Sequence, residues 1–195
     1  MIKYILNKVG WFLRVISGSR KGYRLKGPKG KDTRPTEDRI KESLFNILRD
    51  IDEESIALDL FAGSGSIGIE FLSRGAKKVY FIDKSFFSIK AIKENLDHTN
   101  LTERAQVIKN EAIKIIDLFS KDNIKFDYIF IDPPYGQGLI MKALKGISDK
   151  KVLKENGIII VEHEKELILE ENIYDLVKIN HRSYGNKSLT FFTIS

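Results

Sequence analysis

Asp132-Pro133-Pro134-Tyr135 is the stretch of this chain best built for chemistry. Two consecutive prolines fix two backbone φ angles and remove two N–H donors. The carbonyls beside them remain as acceptors, and the Asp132 carboxylate adds another. A rigid set of acceptors suits a planar amino group, gripped by its hydrogens. Tyr135 offers an aromatic face, and stacking a base on such a face contributes roughly 1–3 kcal/mol. The lone pair of an aromatic amine is delocalised into its ring. Acceptors that draw the hydrogens out of plane would localise that pair toward an electrophile. In-line positioning and electrostatic complementarity would supply the rest. Asp132 or water would take the proton, and no metal is needed. The bland alternative is a Pro-Pro turn after a strand.

A second motif precedes it, Asp59-Leu60-Phe61-Ala62-Gly63-Ser64-Gly65-Ser66-Ile67-Gly68. Gly63, Gly65 and Gly68 satisfy G-x-G-x-x-G between an expected strand and an expected helix, where glycine permits a tight turn and close approach to a ligand. Asp83 stands 20 residues after Gly63, at the end of the next strand, where a carboxylate reaches ribose hydroxyls. The glycines alone do not choose between a nicotinamide dinucleotide and S-adenosylmethionine. Asp59 favours the second, because it can face a cationic amino acid portion, whereas a pyrophosphate would be repelled. Phe61 within the motif and Glu111 after the third strand are further cofactor candidates. Glu111 could equally be an acid that complements a helix N-terminus. Together the two motifs point to S-adenosylmethionine-dependent methylation of an exocyclic amino group on a nucleobase.

The elements that position these motifs alternate. Residues 13–26 read as two short strands around Gly18 and Gly22, and 27–35 as a Gly/Pro/Lys loop. Thr36 is a plausible N-cap for a helix whose apolar face is Ile40, Leu44, Ile47, Leu48 and Ile51. From residue 57 strands and helices alternate, which predicts a mostly parallel sheet covered on both faces. Strands are expected at 57–61, 78–82, 106–109, 126–131 and 157–161. The tail differs: 174–180 and 188–194 read as strands joined through Ser183-Tyr184-Gly185-Asn186, an antiparallel hairpin. His98, His163 and His181 have no ligand spacing and read as surface or edge residues.

A chain of 195 residues with 42% hydrophobic and 31% charged residues fits an α/β domain that needs no staples. The absence of cysteine excludes disulfides and thiolate metal sites and fits a cytoplasmic setting. No run reaches the ~18–20 apolar residues of a membrane span, and no signal peptide is expected. Residues 1–41 hold twelve Lys or Arg against three acids, a net +9, while the rest of the chain carries −3. A basic arm on a near-neutral body suggests a polyanion partner. The expected division is 1–35, a basic N-terminal β-hairpin extension that binds RNA, and 36–195, the catalytic domain. The RNA candidates are Arg14, Arg20, Lys21, Tyr23, Arg24 and Arg39. Nothing in the sequence demands a dimer, so a monomer is expected.

Arg14-Val15-Ile16-Ser17-Gly18, Arg34-Pro35-Thr36 with Arg39, Glu42, Leu44 and Phe45, the two motifs above, and Tyr184-Gly185 together resemble the RsmD family of bacterial 16S rRNA (guanine 2-amino) methyltransferases. The resemblance covers about residues 13–195. It implies a Rossmann-like, seven-stranded methyltransferase fold with a small N-terminal β extension, and S-adenosylmethionine as donor. It implies a guanine of 16S rRNA in the small ribosomal subunit as target. It places the cofactor at Asp59, Gly63, Gly65 and Asp83, with Arg34, Thr36 and Glu111 as further contacts, and the guanine at Asp132, Pro133 and Tyr135. Residues 1–12 precede the usual start of the family, and Glu111 stands where a shorter Asp is more usual. Three rivals are an adenine 6-amino methyltransferase acting on DNA, a nicotinamide-dependent oxidoreductase and a non-catalytic RNA-binding module. The first lacks residues for a target-recognition domain, the second leaves Asp132–Tyr135 unexplained, and the third leaves both motifs idle.

Overall fold

Strands of near-continuous Val, Ile, Leu and Phe must be covered on both faces, and the fold supplies that cover. The computed structural model of the protein describes residues 13–27 and 36–195, without the side chains of Thr36 and Glu37. The short strands β1 (Leu13–Arg14) and β2 (Arg24–Leu25) pair antiparallel, with Leu13 opposite Leu25. Helix α1 (Thr36–Leu48) leads into β3 (Ile56–Asp59), α2 (Ser66–Ser73), β4 (Lys78–Asp83), α3 (Phe86–His98), β5 (Ala105–Lys109) and α4 (Ala112–Lys121). Strand β6 (Phe126–Ile131), α5 (Leu139–Lys150), β7 (Leu153–Glu164), β8 (Asn172–Ile173), β9 (Leu176–Tyr184) and β10 (Lys187–Ile194) complete the chain.

The main sheet runs β5-β4-β3-β6-β7-β10-β9-β8. Strands β3 to β7 are parallel to one another, β10 pairs antiparallel with β7, and β9 and β8 continue the antiparallel edge. Seven of these strands are the expected ones; the eighth, β8, is a two-residue pairing of Asn172 and Ile173 with β9. Two apolar cores lie on opposite faces. One packs α1, α2, α3 and the β1–β2 hairpin through Leu44, Phe45, Phe71 and Phe81; the other packs α4 and α5 through Ile115, Phe119, Leu144 and Ile147.

Two strands are longer than the apolar runs predict. β7 continues through Glu162, His163 and Glu164 because these pair with Leu189, Ser188 and Lys187 of β10. β9 continues through His181 to Tyr184 for the same reason. His163 is buried, not a surface residue, at 1% exposure. Its Nδ1 donates to the Glu164 carbonyl and its Nε2 accepts from Thr190 Oγ1, each at 2.8 Å. That arrangement, with the neutral ring favoured by burial, satisfies both nitrogens. Among the described residues no helix is long and apolar enough to cross a membrane.

Candidate active site

Strand β3 lies between β4 and β6, so the connections diverge from it to either side. In open α/β sheets this divergence opens a crevice beyond the strand C-termini, where ligands bind. Past β3 the chain rides over that edge. Leu60 N donates to the Phe130 carbonyl at 3.0 Å and Ala62 N to the Ile82 carbonyl at 2.8 Å. The turn that follows needs glycine, with φ of +54° at Gly63 and +79° at Gly65. A Cβ on Gly63 would meet nothing within 4 Å, so this backbone faces open space. A Cβ on Gly68 would lie 2.2 Å from the Phe81 ring, so glycine there lets α2 close on β4.

Both carboxylates expected at this end are in place. Asp83 Oδ2 accepts from Gly63 N at 2.9 Å and Oδ1 from Ser85 N at 2.8 Å, which fixes the acid against the glycine turn. Asp59 is 2% exposed, and its Oδ2 accepts from Gly68 N at 3.1 Å. Burial pushes its carboxyl up from 3.8 to about 7; the Gly68 hydrogen bond opposes this and the Asp83 charge adds to it. A buried acid held near neutrality fits a cationic ligand group. Phe61 is half-buried beside the same turn. Glu111 occupies the N-cap position of α4 but makes no side-chain capping bond; from its exposed position the carboxylate pairs with Lys114 at 2.7 Å. Arg34 and the Thr36 side chain lie outside the described residues.

Asp132, Pro133, Pro134 and Tyr135 leave the end of β6, next to Asp59: Phe130 is in register with Asp59. Pro133 is buried, Asp132 half-buried, and Pro134 and Tyr135 are exposed. The acceptor motif and the glycine motif thus share one crevice. Two residues that carry no motif join them. Glu162, near the end of β7, accepts from Lys187 Nζ at the start of β10. Lys187 is also near enough to Tyr135 for its charge to act on the hydroxyl. Burial pushes the Tyr135 hydroxyl pKa up, with Asp132 and Glu162 adding and Lys187 opposing.

The β1–β2 hairpin is strapped to this half of the domain. Asn95 of α3 is 1% exposed; its Nδ2 donates to the Ser64 and Lys26 carbonyls, each at 2.9 Å, and its Oδ1 accepts from Lys26 N at 2.8 Å. One buried amide therefore joins the hairpin to the glycine turn. Glu70 of α2, fully buried, accepts from Ile16 N at 2.8 Å, Ser17 N at 2.9 Å and Arg74 Nε at 3.0 Å. Of the RNA candidates, Arg20 is committed to the fold: its Nε donates to the Thr99 carbonyl at 2.6 Å. Arg14 pairs with Asp38 at 2.9 Å on the surface, and Tyr23 stands 5.4 Å from the His98 ring. Lys21, Arg24 and Arg39 are exposed.

This arrangement can be set beside known proteins. The family model described as Conserved hypothetical protein 95 matches residues 13–193. The chain belongs to the RsmD family. It is 43% identical to a Bacillus subtilis protein provisionally named as the rRNA methyltransferase YlbH, over 89% of this chain and 94% of that one. It is 37% identical to Ribosomal RNA small subunit methyltransferase D of Haemophilus influenzae, with the same coverage of 89% and 94%. An Escherichia coli structure provisionally described as the methyltransferase yhhF superposes with a TM-score of 0.81 at 26% identity, covering 94% of this chain and 98% of that one. The RsmD match begins at Leu13, where β1 begins, so the hairpin is part of the shared fold.

Proposed function

We propose that this chain transfers a methyl group from S-adenosylmethionine to the 2-amino group of a guanine in the 16S rRNA of the small ribosomal subunit. The coarser part of that statement, methylation of ribosomal RNA, follows the family and the relatives named above. The observation that carries the finer part is the placement of Asp132-Pro133-Pro134-Tyr135 beside Asp59 at the open ends of β6 and β3.

Bound in the crevice, S-adenosylmethionine supplies an electrophilic methyl group on a sulfonium sulfur. Asp59 would hold the ammonium of its amino acid portion, and Asp83 the ribose hydroxyls. Gly63 and Gly65 would let the backbone approach, and Phe61, Glu111, Arg34 and Thr36 are proposed as further contacts. Asp132 and the Pro133 carbonyl hold the two amine hydrogens. Pro134 keeps that loop rigid and Tyr135 stacks on the base. Asp132 or water accepts the proton that the nitrogen loses. Flipping the base costs a few kcal/mol, which cationic contacts to phosphates offset.

Deleting the gene in its host and digesting 16S rRNA to nucleosides tests the reading: one 2-methylguanosine per rRNA should disappear. An unchanged nucleoside profile would reject it.

Asp59 gives this reading a pH signature. Its folded carboxyl pKa, about 7, lies above the ordinary 3.8. Ionising it therefore costs folding stability, a loss that grows as pH rises from about 4 to 7. A bound ammonium favours the ionised form instead, so cofactor binding releases a proton. Affinity should rise roughly tenfold between about pH 6 and 7.5. In Asp59→Asn it should be weak and flat across that range. Calorimetry in buffers of different ionisation enthalpy reads the proton directly, and zero release at pH 6 would contradict the assignment.

The hairpin supplies the proposed RNA contacts through Lys21, Tyr23 and Arg24, with Arg14 and Arg39 beside them. Lys21→Glu with Arg24→Glu should weaken rRNA binding and reduce the slope of log affinity against log salt by about 2. Arg20 is left intact in that variant because it holds Thr99. An unchanged slope would move the RNA surface elsewhere.

A further inference from the structure

The methyl-transfer chemistry above makes no use of the Glu162–Lys187 pair, yet the pair sits beside the acceptor motif. Glu162 is 6% exposed, in a position where an unpaired carboxylate would be costly. Val161 is in register with Ile131, so Glu162, within β7, lies beside Asp132, the first residue past the parallel strand β6. Such strands lie about 4.8 Å apart, a gap that a purine edge can bridge. Lys187, on β10, lies beyond Glu162 in the sheet order β6-β7-β10 and donates to it, close enough to Asp132 and Tyr135 to feel their charges. Burial works against its ammonium, but Glu162, then Asp132 and Tyr135, outweigh it and keep Lys187 protonated.

The order of these groups matches one purine. Along its Watson–Crick edge guanine presents the 2-amino donor, then the N1–H donor, then the O6 acceptor. Adenine presents its 6-amino donor and then N1 as a bare acceptor. A guanine whose amine is held at Asp132 needs an acceptor next and a donor beyond. Glu162 and Lys187 stand in that order. An adenine held by its amine would set N1 against the Glu162 carboxylate, acceptor to acceptor.

We propose that Glu162 and Lys187 read the Watson–Crick edge of the target guanine, Glu162 accepting from N1–H and Lys187 donating to O6. This rests on the guanine reading given above. A carboxylate can accept several hydrogen bonds, so Glu162 keeps Lys187 while it takes N1–H.

The test replaces the guanine that the wild-type protein methylates, located by mass spectrometry, with 2-aminopurine in reconstituted small subunits. 2-Aminopurine keeps the 2-amino group and lacks both N1–H and O6. For wild-type protein kcat/KM should fall by at least about thirtyfold, since two contacts to charged groups are lost. The double variant Glu162→Gln/Lys187→Met removes both charges together, so no unpaired charge is left buried. It should methylate guanine more slowly but prefer it over 2-aminopurine by less than about threefold, the charged contacts being gone. Lys187→Arg, which keeps the donor, should retain the preference. Equal slowing on both bases, with the wild-type ratio intact, would mean a structural pair and overturn the proposal. So would a wild-type protein that does not discriminate. A wild-type protein that methylates a different base would remove the guanine reading itself, and this inference with it.

Discussion

Asp132→Ala is expected to slow methyl transfer by about 10²–10⁴-fold while cofactor affinity stays within about threefold of wild type. The two effects separate because Asp132 follows β6, whereas the acids proposed for the cofactor, Asp59 and Asp83, end β3 and β4. Alanine removes the carboxylate acceptor but keeps Pro133 and Pro134, so the loop stays rigid. What is lost is alignment of the amine and a place for its proton. Asp132→Asn should also be slow, because one of the amide's two polar ends is a donor that cannot hold an N–H. Single-turnover rates with saturating cofactor check this. Near wild-type transfer by Asp132→Ala would show that the acceptor reading of the motif is wrong.

The second large effect is on stability. Glu70→Ala should cost about 3–5 kcal/mol, because it leaves buried cationic and polar groups without their anion. Lys41 is 1% exposed with its Nζ 3.9 Å from Glu70, and it also donates to the Arg14 carbonyl. Ile16 N and Ser17 N lose their acceptor in the same step. For a chain of this size the fall in Tm is on the order of 10 °C. Amide exchange over residues 13–26 should accelerate more than exchange in β3 or β6, since Glu70 is the anchor of the hairpin. Adding Lys41→Met to Glu70→Gln should recover part of the loss by removing a buried ammonium that has lost one of its anions. A Tm within about 1 °C of wild type for Glu70→Ala would contradict this account of how the extension is held.

That anchor shows where the sequence is readable and where it is silent. The parallel sheet is legible because buried strands leave continuous apolar runs, such as Ile129-Phe130-Ile131 and Ile158-Ile159-Ile160-Val161. The two motifs are legible because their chemistry is local in sequence. Asp59 and Asp83 share an oxygen-to-backbone frame with Gly63 and Gly68 that the glycine spacing foreshadows. The hairpin anchors are not local. Glu70 reaches back to Ile16 across 54 residues, and Asn95 to Lys26 across 69. On its own helix Glu70 reads as one more charged residue. Lys187 reads as a turn lysine next to Gly185 and Asn186 until β10 is placed against β7. Glu162 left a faint signal: like Asp132, it is an acid that directly follows a continuous apolar run.

Charge counting also has a physical limit here. It marks the first 41 residues as basic but cannot separate cations that face solvent from those that hold the fold. Arg20 and Lys41 belong to the second group through the Thr99 and Arg14 carbonyls, while Lys21 and Arg24 remain on the surface.

The most direct test of the central claim is methyl transfer by the purified protein from S-adenosylmethionine labelled in its methyl group. The acceptors are small ribosomal subunits from cells lacking the modification, free 16S rRNA and duplex DNA, followed by nucleoside analysis. Label recovered as 2-methylguanosine in the rRNA is the predicted result. Label recovered as 6-methyladenine in DNA, or no label on rRNA in either form despite measurable cofactor binding, would contradict it.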